Sequence, residues 1–345
     1  MTRSPSDGSI RAFSSPMPDL NGAAILVTGG TGSFGRAFAK TVLKRFKPSR
    51  LVIFSRDELK QHEMQIDPDF SERDCVRFFI GDVRDQNRLE MAMRGIDYVI
   101  HAAALKQVPT AEYNPFECIR TNVIGAENVA QAAIRTHVKR VIALSTDKAS
   151  NPINLYGASK LASDKIFVAA NHLAGDQDTR FAVVRYGNVI GSRGSVVPFF
   201  NDLVAKGAKT IPITDPRMTR FWITLDQGVN FVLSSIELMT GGEIFVPKIP
   251  SMNVVDLARH IAPGVEHEVV GIRSGEKLHE VMITEDDARA TLELDDRFVI
   301  CPPNLAWNDR HLRARGAREV PESFRYGSDN NEEWTDDAMM EALLR

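Results

Sequence analysis

Short, nearly unbroken apolar runs alternate along this chain with longer amphipathic stretches. From Ala24 onward the runs are Ile25-Leu26-Val27, Leu51-Val52-Ile53-Phe54, Arg77-Phe78-Phe79-Ile80, Tyr98-Val99-Ile100, Val141-Ile142-Ala143-Leu144 and Phe181-Ala182-Val183-Val184. Helical patterns separate most of them, as over 36–46, and a polar helical pattern fills 58–65. A strand buried on both faces reads as a continuous apolar run, because neither face meets water. Runs of this kind alternating with helices predict an α/β fold built on a doubly wound parallel sheet. After Gly187 the alternation loosens into loops at 191–194, 212–220 and 247–250, which predicts a smaller, irregular C-terminal portion. The charged stretch 308–318 reads as a solvated helix or loop, and 336–345 as a short amphipathic helix.

Composition narrows the function. With 345 residues, 43% hydrophobic and 25% charged, the chain can bury a sizeable core without disulfides or metals. A net charge of -3 offers no basic excess, so nucleic acid is not expected as a partner. No apolar run approaches the roughly 20 residues that cross a bilayer. Residues 1–22 are rich in Ser, Pro and Asp and lack a hydrophobic stretch, so they read as a flexible extension, or in part an oligomer contact, rather than a signal peptide, and the cytoplasm is the expected location. Cys75, Cys118 and Cys301 are scattered and odd in number, which predicts reduced thiols and no metal site.

The first run ends in Thr28-Gly29-Gly30-Thr31-Gly32-Ser33-Phe34-Gly35, directly before a helix. Glycines at 29, 32 and 35 let the backbone turn sharply and approach a pyrophosphate, whose charge the helix N-terminus favours. Between a strand and a helix this pattern predicts a Rossmann dinucleotide site formed by Gly29, Thr31, Gly32, Ser33, Phe34 and Gly35. Residues 23–187 are therefore read as the dinucleotide-binding domain, and 188–345 as mainly substrate-binding, interleaved with the last strands. After the second run, Ser55 and Arg56 offer a hydroxyl and a guanidinium suited to a 2′-phosphate, with Lys60 adding charge. This favours NADP over NAD, although Asp57 remains able to approach a ribose. Asp82 and Val83 fit an adenine contact, and Ala102, Ala103 and Ala104 a tight wall beside the cofactor.

Tyr156 and Lys160 stand four apart, on one face of a helix, where a lysine charge lowers the phenol pKa toward that of a general base. Thr146 follows an apolar strand and is placed to hydrogen-bond the reacting oxygen. Beside it, Asp147 and Lys148 supply an acid and a base that simple alcohol oxidation does not require.

At these residues the chain resembles the extended short-chain dehydrogenase/reductase family. More closely, it resembles the inverting UDP-N-acetylglucosamine 4,6-dehydratases that begin pseudaminic acid and related bacterial surface-sugar pathways. The likeness runs from about Ala24 to the C-terminus. It is carried by the glycine loop, Ser55-Arg56-Asp57-Glu58, Ala102-Ala103-Ala104-Leu105-Lys106, Ser145-Thr146-Asp147-Lys148 and Asn151-Pro152-Ile153-Asn154-Leu155-Tyr156-Gly157. Arg185-Tyr186-Gly187-Asn188-Val189, Arg217-Met218-Thr219-Arg220-Phe221-Trp222 and Gly275-Glu276-Lys277-Leu278-His279-Glu280 extend it. The resemblance implies that Tyr156 takes the C4 hydroxyl proton as hydride leaves C4 for a tightly bound NADP that each cycle regenerates. Lys148 then removes the C5 proton as a neutral amine, its pKa lowered by burial and by Lys160, and Asp147 protonates the departing C6 hydroxyl. Hydride returns to C6 and C5 is reprotonated from the opposite face, giving UDP-2-acetamido-2,6-dideoxy-β-L-arabino-hexos-4-ulose.

Retaining relatives carry glutamate where Lys148 stands. Substrate contacts implied are Lys106, Asn188, Ser195 and Val196 with Gly194, Thr214, Met218, Thr219, Arg273 and Glu276, and relatives assemble as homo-oligomers, dimers or hexamers. A nucleotide-sugar 4-epimerase is the nearest rival and needs only Tyr156 and Thr146. A retaining 4,6-dehydratase, a simple NADP-dependent reductase and a silent nucleotide-binding protein are the others.

Overall fold

In the computed structural model the described residues are 10–192, 195–303 and 307–344. A ten-stranded sheet forms the centre, and seven of its strands run parallel. The first six are β1 (Ala24–Thr28), β2 (Arg50–Ser55), β3 (Val76–Ile80), β4 (Tyr98–His101), β5 (Arg140–Thr146) and β6 (Arg180–Tyr186). Their spatial order is β3-β2-β1-β4-β5-β6, and strand Ile244–Pro247 continues the parallel set beside β6. Every apolar run singled out above is one of these strands. Strands Arg297–Ile300, Thr291–Glu293 and Arg318–Glu319 then close that edge in antiparallel pairing.

Helices cover both faces, so the central strands are largely buried. Helix α1 (Ser33–Arg45) packs on the apolar helix Leu225–Leu238 on one side. Helices Gln86–Met93, Gly125–Arg135 and Leu155–Leu173 pack in succession on the other. This is the doubly wound, Rossmann-like architecture. The order reverses at β1, because the chain crosses from β3 back to β4 on the far side of β1, and such a reversal opens a crevice at the carboxyl ends of the strands.

Residues 188–345 provide the closing strands and three smaller sheets: Ser251–Asn253 with Thr219–Ile223 and Asn188–Val189, Thr210–Ile213 with Glu266–Val269, and Val281–Ile283 with Tyr326–Gly327. The C-terminal helix Asp337–Leu344 buries Met339, Met340 and Leu343. Within 308–318, expected to be solvated, Leu312 is fully buried, and the strand that follows joins the central sheet.

The flexible extension expected over 1–22 is corrected for residues 10–22, which dock on the body. Phe13 and Leu20 are buried, and the Phe13 ring meets Phe231 edge-on at 5.0 Å. Gln227 and Asn230 donate to the carbonyls of Arg11 and Ala12, both at 2.8 Å, and Arg11 pairs with Glu333. Among the described residues, no helix is long and apolar enough to cross a membrane.

Candidate active site

The glycine loop lies at the switch point. Gly29 has φ +65, and a Cβ there would stand 2.8 Å from the Ala103 nitrogen on the neighbouring strand end. At Gly35 a Cβ would stand 2.5 Å from the Gly30 Cα, so the helix closes on the loop only with glycine. Gly32 occupies the N-cap of α1 and makes no side-chain cap, leaving helix N–H groups to face an anion. Phe34, in the first turn, stacks on Phe38 at 6.0 Å. These features form a cradle that any side chain would fill, and they fit a dinucleotide pyrophosphate.

The neighbouring candidates divide. Ser55 turns its hydroxyl to Thr31 at 2.9 Å and accepts from the Asp57 amide, so it braces the loop. Asp57 caps the helix Glu58–Gln65 and pairs with Lys60 at 2.5 Å, which engages both of these residues locally. Arg56 projects half-exposed, 3.5 Å from Asp82. The Asp82 carboxylate also receives Arg84 Nε and Nη2 at 3.0 and 2.7 Å. Burial pushes its pKa up, but these guanidiniums outweigh it and hold it below the usual range. Val83 is buried and its carbonyl accepts from Asn128. The wall Ala102, Ala103 and Ala104 follows β4, and Asn122 grips its end by a pair of hydrogen bonds with Leu105, at 2.8 and 2.9 Å. Asn122 lies on a π-helical turn, Arg120–Ile124, and also donates to Ser159 on the helix that carries Tyr156. No sequence signal singled it out.

At the end of β5, Thr146 caps a single 3₁₀ turn, Asp147–Ala149. The Thr146 hydroxyl donates to Asp147 Oδ1 at 2.9 Å and bonds Tyr156. Lys148 Nζ reaches Asp147 Oδ1 at 3.0 Å and Asn188 Oδ1 at 3.4 Å. Helix Leu155–Leu173 begins with Asn154 capping the Gly157 amide, and the same side chain donates to the Gly275 carbonyl at 2.7 Å, tying the 273–277 loop to the helix. Thr146, Asp147, Lys148, Tyr156 and Asn188 are thus brought into one cluster.

Lys160 is not placed as expected. Its ammonium donates to the Leu144 carbonyl at 2.7 Å; burial lowers its pKa, and the Asp164 charge works against that lowering. Burial pushes the Tyr156 phenol up to about 12, and the charge that works against this is that of Lys148, followed by the Thr146 bond. The expected lowering by Lys160 is therefore corrected. The expected lowering at Lys148 is corrected too. Burial favours its neutral form, but the carboxylates of Asp147 and Glu280 outweigh burial and raise the pKa above the ordinary value. Glu280, whose Oε1 lies 3.4 Å from Lys148 Nζ, was legible only as part of a family segment with no role attached, because it is remote in sequence.

Among the substrate candidates, Lys106 is exposed beyond the alanine wall. Exposed Arg273 lies 3.8 Å from half-buried Glu276. Ser195 precedes helix Val196–Ala205 with a buried hydroxyl oxygen that has no hydrogen-bond partner among the described residues, and Val196 packs between two apolar clusters. Gly194 lies outside the described residues. Thr214 donates to Met218 sulfur, and Met218 is buried in an apolar cluster with Phe200 and Ile213. Thr219 spends its hydroxyl on His279 and Ser328, at 2.8 and 2.7 Å. Met218 and Thr219 are therefore packing and bracing residues in this structure, not lining ones.

Similarity to known proteins identifies the family. The family described as polysaccharide biosynthesis protein matches residues 25–302. An inverting UDP-N-acetylglucosamine 4,6-dehydratase of Campylobacter jejuni is 57% identical over 320 residues, covering 91% of this chain and 95% of that relative. A UDP-glucose 4-epimerase of Rickettsia canadensis is 40% identical over 331 residues, covering 93% and 95%. The X-ray structure of Pen from Bacillus thuringiensis shares the fold with a TM-score of 0.84 at 35% identity, over 94% of this chain and 97% of that one. The chain belongs to the polysaccharide biosynthesis protein family and, within it, to the inverting UDP-N-acetylglucosamine 4,6-dehydratases, a group of hydro-lyases.

Proposed function

We propose that the protein dehydrates UDP-N-acetylglucosamine across C5 and C6 with inversion at C5, using NADP and giving UDP-2-acetamido-2,6-dideoxy-β-L-arabino-hexos-4-ulose. The observation that carries this reading is the acid–base pair beside the tyrosine: Asp147 and Lys148 in contact at 3.0 Å, next to Thr146 and Tyr156. A nicotinamide bound past the glycine cradle supplies reversible storage of one hydride. The residues of the chain handle the protons. Tyr156 takes the proton of the C4 hydroxyl, Thr146 orients that oxygen, Lys148 takes the C5 proton, and Asp147 protonates the C6 hydroxyl so that it leaves as water.

An epimerase needs Tyr156 and Thr146 and leaves the Asp147–Lys148 pair without work. A lysine rather than a glutamate at 148 supports inversion over retention. Arg56 supports NADP, because Ser55 and Asp57 are committed to the protein itself while the guanidinium still projects from the end of β2. The reading extends to a cytoplasmic homo-oligomer serving bacterial surface-sugar synthesis, such as that of pseudaminic acid.

The test is incubation with UDP-N-acetylglucosamine in deuterated water without added cofactor, followed by proton NMR. A 6-deoxy-4-keto product, with deuterium at C5 and the inverted coupling pattern, is expected. A product retained at C5 removes the role of Lys148. A C4 epimer alone, or no change after NADP+ is added, overturns the dehydratase.

A further inference from the structure

We propose that Glu280 is a positioning residue for Lys148, fixing its amine in the cleft and strengthening it as the base at C5. The inference rests on the reading of Lys148 as that base. Glu280 is 2% exposed and lies at the end of the 273–280 segment, far from Lys148 in sequence. Its backbone is clamped on both sides by Ser328: the Glu280 amide donates to Ser328 Oγ at 2.9 Å, and the Ser328 amide donates to the Glu280 carbonyl at 2.8 Å. The carboxylate is aimed inward. Its Oε1 lies 3.4 Å from Lys148 Nζ and 3.7 Å from Arg220 Nε, and its Oε2 lies 3.8 Å from Lys277 Nζ with no hydrogen bond among the described residues.

A buried carboxylate is costly unless paired, and a pair that served packing alone would be replaceable by apolar groups. Here the partners are a proton-transfer residue and two further cations, Arg220 and Lys277. The charged and titratable groups facing Lys148 are Asp147, Glu280, Arg220 and Tyr156, with Lys277 behind Glu280.

The two carboxylates have different tasks. Asp147 touches Lys148 at 3.0 Å, so one proton can pass from Nζ to Oδ1. The N–H bond breaks as the O–H bond forms, and an ion pair becomes a neutral amine beside a neutral acid. After Lys148 takes the C5 proton and Asp147 gives its own to the leaving hydroxyl, the ammonium and carboxylate stand as they began. The exchange balances without a further reactant. The Glu280 carboxylate takes no part in this exchange of protons and stabilises the ammonium that forms, which matters because a hydrogen beside a ketone is weakly acidic and the rate follows base strength. Asn188, 3.4 Å from the same nitrogen, completes its orientation.

The test compares Glu280→Gln, Glu280→Asp and Lys148→Ala as purified holoenzymes, measuring deuterium exchange at C5 of UDP-N-acetylglucosamine against pH. Transfer to Asp147 gives a pH-independent floor of exchange in the wild-type protein, and above it exchange rises with pH as solvent removes the Lys148 proton. In Glu280→Gln the rising limb moves to lower pH by about one unit, and the plateau rate falls about tenfold. Glu280→Asp moves the limb part-way and recovers much of the rate. If Glu280→Gln does not fold, the position of the limb in Glu280→Asp decides. A limb superimposable on the wild type, with only thermal stability changed, overturns the inference. Exchange that survives in Lys148→Ala overturns instead the reading of Lys148, whatever the glutamate variants show.

Discussion

Gly157 and Lys148 are in enforced contact: a Cβ on Gly157 would stand 2.2 Å from the Lys148 carbonyl oxygen and 3.1 Å from Pro152 Cβ. The helix carrying Tyr156 therefore packs backbone-to-backbone on the turn carrying Asp147 and Lys148. Gly157→Ala gains about 1 kcal/mol of helix propensity. The clash with rigid backbone outweighs it, so a net loss of about 1–3 kcal/mol is expected by thermal unfolding. Because the turn must shift away from Tyr156, turnover falls about a hundredfold. Unchanged turnover would show that this packing does not set the site.

Burial pushes the His101 imidazole down to about 3, and its Nδ1 shares a 2.8 Å hydrogen bond with the Thr28 hydroxyl at the base of the glycine loop. In the unfolded chain the ring titrates near pH 6.5. Between these values the unfolded state binds a proton that the folded state refuses. The contribution is present in full above about pH 6.5 and is lost as the pH falls toward 3. From about pH 6.5 to about pH 5 the loss is on the order of 2 kcal/mol. Denaturant midpoints measured across this range should decline in the wild type, and His101→Gln should flatten that decline. An equal slope in both would assign the acid sensitivity elsewhere.

Phe13→Ala is expected to destabilise the fold by about 3 kcal/mol or more, since it removes a buried ring from contact with Phe231 on the helix Leu225–Leu238. An effect within experimental error in thermal unfolding would mean that residues 10–22 rest on the surface without supporting it.

What could be read from the sequence follows the range of the interactions involved. The six strands were legible because each is a local apolar run whose burial on both faces needs no knowledge of its neighbours. The glycine loop was legible for the same reason. The strands Thr291–Glu293 and Arg318–Glu319 were not, because a three- or two-residue strand is defined by its partner rather than by its own pattern. At the site, spacing placed Tyr156 and Lys160 on one helix. It could not reveal that the Leu144 carbonyl takes the Lys160 ammonium or that Lys148 is the cation opposing burial at the phenol. Glu280 reaches Lys148 only because the strand Val281–Ile283 pairs with Tyr326–Gly327, a contact with no local signature. The resemblance implied Thr219 as a substrate contact, yet its hydroxyl is consumed by His279 and Ser328.

Arg56 decides the cofactor prediction. Its guanidinium is half-exposed at the end of β2 and leans on Asp82 at 3.5 Å, a contact long enough to yield to a stronger anion. Surface pairs of this kind contribute little, whereas a guanidinium on a phosphate forms short charge-assisted bonds. Arg56→Ala should therefore cost NADP about tenfold or more in affinity while leaving NAD nearly unaffected, with little change in thermal stability of the free protein. Calorimetric titration of both dinucleotides into the cofactor-stripped protein measures this directly. Equal weakening of the two would remove Arg56 from the 2′-phosphate. Lys60 is paired with Asp57 and Ser55 with Thr31, so Arg56 is the side chain at this strand end on which the proposed preference for NADP chiefly rests.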